Sequence, residues 1–242
     1  MKLSTDRLVV LATVCSLALG ISACSKSEPI VAPTASTSTT SVAPAPTAAE
    51  IIDEAKANAK AATSGAFKGE ITQSGETMKI DFKGTNDGKT ADVTVDMGSA
   101  GKVRILSVGG TVYMQASAAF WKAQGAPAEI QKAGDKFVKA PTEATGLLDE
   151  LTLGKFLDEA FSELKASEVS QTVGQESVDG VDCWVVTDKR GKDQGALYVS
   201  KDKLQIVRFS GSKDTPGQID FSSWNEDLGI KAPSPDQVIT IP

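Results

Sequence analysis

Cys24 is the residue whose surroundings specify a reaction most closely. It follows Ile21-Ser22-Ala23, and this small-residue stretch ends an apolar run from Leu8 to Ile21 that is preceded by Lys2 and Arg7. Small side chains at Ser22 and Ala23 let a peptidase groove close on an extended chain. The apolar run is too short for a mature membrane helix, which needs about 20 residues. The pattern matches a lipobox, in which the cysteine thiol is acylated with diacylglycerol and the chain is cut just before it. The expectation is a signal peptide over 1–23 and a new N-terminus at Cys24. At least two acyl chains there suffice for stable anchoring where one is marginal. An ordinary secretory signal with an incidental cysteine is the alternative. Cys15 lies inside the apolar run and leaves with it. The expected address is the cell membrane, lipid-anchored on the extracytoplasmic side.

Other reactive groups are scarce. The 242-residue chain has no histidine, which removes Ser-His-Asp and Cys-His catalysis and the commonest metal ligand. Cys183 is the only cysteine after Cys24, so no intramolecular disulfide staples the folded part. It stands in the apolar run Asp182-Cys-Trp-Val-Val-Thr187, where a thiol behaves as a small hydrophobe. Asp149, Glu150, Asp158 and Glu159 offer paired carboxylates for acid–base work. The polar face of a helix explains them as well. Asn86-Asp87-Gly88-Lys89 lacks the spaced oxygen ligands of a calcium loop and reads as a hairpin turn. No catalytic residue, metal or cofactor is assigned, and the chain is not expected to be an enzyme. The formal charge is −6 and no basic cluster interrupts it. Nucleic acid and the electrostatic capture of anionic lipid heads are therefore disfavoured as partners.

The elements that would carry a site begin after a tether. Residues 24–47 are rich in Ser, Thr, Ala and Pro and too poor in large apolar groups to offset the entropy of ordering. Partly extended at about 3.1 Å per residue, this stretch reaches about 70 Å from a bilayer. Its hydroxyls allow O-glycosylation without establishing it. Thr47-Ala-Ala-Glu50 has capping-box spacing, and Ile51, Ile52, Ala55, Ala59 and Ala62 predict a helix over about 48–63.

Period-two alternation follows, from Phe67 through Met78, Ile80, Phe82, Val93, Val95, Ile105, Val112 and Met114. With turns at Asn86-Asp87-Gly88 and Gly109-Gly110, it predicts five antiparallel strands by residue 116. Short helices and loops are expected over 118–150. Leu153, Phe156, Leu157, Ala160, Phe161 and Leu164 then mark an amphipathic helix with Thr152 at its start, and Leu147, Leu148 and Leu151 add apolar surface upstream. Strands return at about 168–178, 182–188, 195–200, 204–210 and 218–222, some with apolar residues on both faces. A single domain over 48–242 with a helical insertion at about 118–164 is the expected organisation.

This strand, helix, strand order resembles the LolA-like superfamily, and within it the actinobacterial LppX/LprG-type lipoproteins. The residues that carry the likeness are Gly110-Thr-Val-Tyr-Met114 with Phe120-Trp-Lys122, Val178-Asp-Gly-Val-Asp-Cys-Trp184, Leu197-Tyr-Val-Ser-Lys-Asp-Lys-Leu204, and Phe221-Ser-Ser-Trp-Asn225 leading to Ala232-Pro233. The resemblance covers nearly all of the expected domain through loose apolar and turn positions. It implies an α+β fold, a strongly curved antiparallel half-barrel sheet with helices covering its concave face. It also implies an apolar cavity for lipid or lipoglycan acyl chains, and a monomer that meets a membrane transporter. Met78, Ile80, Phe82, Val93, Val95, Ile105, Val112 and Met114, facing Leu147, Leu148, Leu151, Phe156 and Phe161, are the candidate lining. A non-transporting module that holds a protein partner on the same scaffold is the second reading. Periodicity says which residues face inward, not whether a void remains between them.

Overall fold

The computed structural model describes residues 45–73, 76–140, 152–162, 164 and 167–239. Cys24, the signal and most of the tether fall outside them, as do Leu147, Leu148, Leu151, Asp149 and Glu150. Helix α1, Ala48–Ala61, starts at Thr47, whose hydroxyl accepts the Glu50 N–H while the Glu50 carboxylate accepts the Thr47 N–H at 2.8 Å. Both bonds satisfy orphan donors of the first turn. Ala48, Ile51, Ala55 and Ala59 form its buried stripe. Three alanines in that stripe let the helix lie close to whatever it covers.

Among the described residues, twelve strands form one open sheet. In chain order they are β1 Ser64–Gln73, β2 Glu76–Thr85, β3 Ala91–Asp96, β4 Lys102–Val108, β5 Thr111–Ala116, β6 Phe137–Lys139, β7 Gly174–Val178, β8 Val181–Asp188, β9 Gly191–Ser200, β10 Ile206–Ser210, β11 Gly217–Ser222 and β12 Val238–Ile239. Their spatial order is β12-β6-β5-β4-β3-β2-β1-β11-β10-β9-β8-β7, antiparallel throughout except for the β12–β6 pair. The chain thus lays down two meanders and joins them where β1 pairs with β11. Gly109 and Gly110, at φ +58° and +76°, supply the two left-handed residues that a tight β4–β5 hairpin demands. Gly69 serves the joint between the meanders, since a Cβ there would sit 2.1 Å from the Gln218 carbonyl oxygen.

Helix α2, Ala118–Ala123, and α3, Ala128–Gln131, follow β5, and α4, Leu153–Ser162, precedes the second meander. The Thr152 hydroxyl accepts the Lys155 N–H at 3.1 Å, and Leu153, Leu157 and Phe161 form the buried stripe of α4. The stretch after β5 also contains β6, where only helices and loops are expected from sequence, and the tail contains β12. At three and two residues these strands are too short for alternation to register.

The main core gathers the buried stripes of α1 and α4 with residues of seven adjacent strands, from β3 through β2, β1, β11, β10 and β9 to β8. Seven strands span about 29 Å of flat sheet. Two helices side by side cover about 20 Å. Their meeting in one core is consistent with a sheet that curves around the pair. A second core sets α2 and α3 on β4–β6 of the same sheet.

Candidate functional site

Register places all eight strand residues of the expected lining on one face. Phe221, Phe67, Phe82, Val93, Ile105, Met114, Val138 and Ile239 are successive cross-strand partners, an apolar row over eight strands. A second row runs Phe209, Ile219, Gly69, Ile80, Val95, Val103 and Ala116. Met78 lies two residues from Ile80 and Val112 two from Met114, so both share this face.

Burial divides the face into two sectors. At its centre Phe67 stacks on Phe82 at 4.7 Å and on Phe156 at 4.3 Å between ring centroids. Phe82 and Val93 are 1% and 0% exposed, and Phe161, Val112 and Ile105 are also buried. The rings of Phe67, Phe82 and Phe156 fill the centre by stacking on one another. The other sector is only half covered. Ile80, Val95, Met97 and Met114 are partly buried, Val95 packs against both cores, and Met78 is 38% exposed. Val95 is the member of this half-covered strip that packs against both cores; Ile80 packs against the core of α1 and α4, and Met97 and Met114 against the core of α2 and α3. Two thioethers, Met97 and Met114, give the strip flexible, polarisable side chains.

The opposite face is polar. Arg208, Asp220, Lys68, Asp81, Thr94, Arg104 and Gln115 form a cross-strand row of largely alternating charge. Lys68 pairs with Asp81 at 2.8 Å, Arg208 with Asp220, and Arg104 with Asp92. The Asp92 carboxylate raises the Arg104 guanidinium above its ordinary pKa. A groove of about 640 Å³ lies on this face, lined by Lys68, Asp81, Lys83, Asp92, Thr94 and Arg104 among others. Alternation marks the outward residues of each strand, but pairing order is needed to see them form a charged row.

Among the described residues, the nucleophile and acids singled out in the sequence stand apart from one another. Cys183 is fully buried; burial pushes its thiol pKa up, and its Sγ donates to the Val181 carbonyl at 3.3 Å. Asp158 stands 68% exposed with Lys60 at 3.9 Å, and Glu159 is exposed on the same helix. Among the described residues, no group of three or more Cys, Asp or Glu is placed to hold a metal ion, and no helix is long and apolar enough to cross a membrane. Asn225, at φ +62°, accepts the Thr63 N–H at 2.8 Å and ties the tail to the α1–β1 junction. The sequence marks the Phe221–Asn225 segment without revealing that role.

No family model matches the chain, and no curated protein matches it. Similar solved structures include LprF from Mycobacterium bovis, at 14% identity over 76% of this chain and 96% of that one, with a TM-score of 0.47. They also include an uncharacterized conserved protein from Thermus thermophilus, at 12% identity over 79% of this chain and 98% of that one, with a TM-score of 0.36. A third is MucB in complex with MucA, at 14% identity over 80% of this chain and 62% of that one, with a TM-score of 0.30. All three TM-scores lie below 0.5, and the likenesses carry no argument about function.

Proposed function

We propose that this chain is an envelope lipoprotein, anchored to the cell membrane through acylated Cys24 on the extracytoplasmic side. In this reading it binds or transfers lipid or lipoglycan acyl chains between a strongly curved half-barrel sheet and its helices. The observation that supports the reading is the set of partly buried apolar residues Ile80, Val95, Met97 and Met114 on the helix-bearing face of the sheet, with Met78 exposed on the same face. A site of this kind needs apolar area and no reaction chemistry. About eight methylenes buried there contribute about 6 kcal/mol. It requires no cofactor, works as a monomer, and delivers to or receives from a membrane component such as a transporter.

The stacked Phe67, Phe82 and Phe156 favour a second reading, a non-transporting module that holds a protein partner on the same scaffold with its centre closed by side chains. Organic extraction of protein purified from a lipid-containing source, followed by mass spectrometry, separates the two. Stoichiometric acyl lipid is expected, and repeated lipid-free preparations sink the carrier reading.

A further inference from the structure

We propose that the cavity where α4 ends binds a single acyl chain of a lipid whose head carries no anionic group, a monoacylglycerol being the simplest case. This rests on the acyl-binding reading above. The cavity measures about 290 Å³, and its apolar walls are Leu164, Val169, Val186, Leu197 and Phe209. All five belong to or pack against the core under α1 and α4. Val186, Leu197 and Phe209 are successive cross-strand partners on β8, β9 and β10. Phe209 in turn faces Ile219, so this floor extends the row that runs through Gly69 to Ile80 and Val95. Phe161 meets Phe209 edge to face at 6.1 Å, which sets the last turn of α4 against the same floor. The segment 168–170 makes the side wall. Val169 bridges to Asp188, the Ser170 N–H donates to the Thr187 carbonyl, and the Lys189 N–H donates to the Glu168 carbonyl, both at 2.8 Å.

The lining selects the ligand. Val186 and Leu197 are 2% and 1% exposed at the bottom, whereas Glu168 and Arg190 stand exposed at the mouth. An apolar floor under a charged mouth matches an amphiphile, whose chain gains by leaving water while its head stays wet. A methylene takes up about as much room as a water, about 30 Å³, so the cavity holds about ten chain carbons of one chain. Charge decides the head. Arg190 donates to both Asp188 oxygens at 2.9 Å, so the cation of this lining is already committed to a carboxylate. The same fork holds the Asp188 carboxyl down at about 2, and it stays ionised at neutral pH. Glu168 adds a second carboxylate at the mouth. An anionic head would therefore meet two carboxylates and an occupied guanidinium. Thr187, Gln194 and Ser210 complete the polar lining, and groups of their kind serve a hydroxyl-bearing head by both giving and accepting hydrogen bonds.

The experiment measures retention of radiolabelled lauroylglycerol and laurate by the purified full chain, at about pH 8 so that laurate is ionised. The wild type is expected to hold lauroylglycerol about tenfold more tightly, the scale of one unmatched charge at a partly exposed site. Asp188→Asn removes a carboxylate and frees the Arg190 fork, so it is expected to bring laurate level with lauroylglycerol, a gain that misfolding cannot imitate. Val169→Trp fills the cavity from a half-buried position and is expected to weaken lauroylglycerol retention about tenfold, with the circular dichroism of wild type. Equal binding of the two probes by wild type, or laurate binding untouched by Asp188→Asn, overturns the assignment of the head. Unchanged lauroylglycerol retention in a folded Val169→Trp overturns the assignment of the cavity and leaves the acyl-binding reading standing with its chain elsewhere. Acyl lipid extracted from a wild type that retains neither probe overturns this inference alone, and a wild type lipid-free by both measurements overturns the acyl-binding reading with it.

Discussion

Arg104 grips Asp92 through two hydrogen bonds of 2.8 Å each, from Nε and from a terminal nitrogen, on the sheet face opposite the helices. The Asp92 side chain is 10% exposed, and Lys83 approaches it at 3.8 Å. The fork fixes β3 against β4 at the floor of the polar groove. Arg104→Ala should leave a nearly buried carboxylate with one distant cation. Because the guanidinium is itself 42% exposed, the expected loss is about 2 kcal/mol rather than the full cost of breaking a buried pair. Urea unfolding measures it, and the double variant Asp92→Leu/Arg104→Met should recover most of the loss.

The two sectors of the apolar face should respond differently to charge. Val93→Asp places an unpaired carboxylate at a fully buried position and should abolish folding, at about 4 kcal/mol or more. Ile80→Asp, in the half-covered strip, should leave a folded protein by circular dichroism with acyl-lipid retention reduced about tenfold. Unaltered retention in Ile80→Asp would move the lipid away from this strip.

Cys24→Ala tests the anchor. The variant should leave the membrane fraction and lose label from radioactive palmitate, and continued membrane association refutes acylation at this position.

Acid stability has one identifiable contributor in the β2–β3 hairpin. The Lys89 ammonium at 2.8 Å, the Lys89 N–H and the Thr85 hydroxyl hold the Asp87 carboxyl down from its ordinary 3.8 to about 2. A folded-state pKa below the unfolded one contributes stability above pH 3.8, and that contribution is lost as pH falls through about 2. The carboxylate is exposed, so the effect is small. Melting temperature followed from about pH 4 down to about pH 2 should fall less steeply in Asp87→Asn than in wild type.

Gly69→Ala should be costly for its type. The added Cβ would lie 2.1 Å from the Gln218 oxygen and 2.8 Å from the Ile219 Cα, so backbone must move. A loss of about 2 kcal/mol or more is expected by denaturant titration. Gly174→Ala in edge strand β7, where the nearest atom would stand at 3.4 Å, serves as the control and should change stability by less than about 1 kcal/mol.

Local chemistry in the sequence forecasts the elements well. The Thr47–Glu50 spacing gives the start of α1, and alternation from Phe67 to Met114 gives β1–β5 and assigns every strand residue of the candidate lining to its face. The stripe from Leu153 to Phe161 gives α4. The distinction between a filled and an unfilled part of that face is a different matter. Val93 and Val95 have the same type and the same alternation, yet one is sealed and the other half covered, because the outcome depends on where α2 and α4 come to rest.

The pairing of β1 with β11 joins Phe67 to Phe221, with Thr63 and Asn225 beside it 162 residues apart in the chain. Each meander can zip up from local hairpins, but the single sheet exists only after the last long strand reaches the first. Closing so large a loop is the slow, entropically opposed step. Until it happens, α1 has half a sheet to rest on and both apolar rows end in open edges. A chain threaded through a membrane from its N-terminus would keep β1 waiting until Gly217–Ser222 emerge, so completion of such a fold would be timed by the end of translocation rather than its beginning.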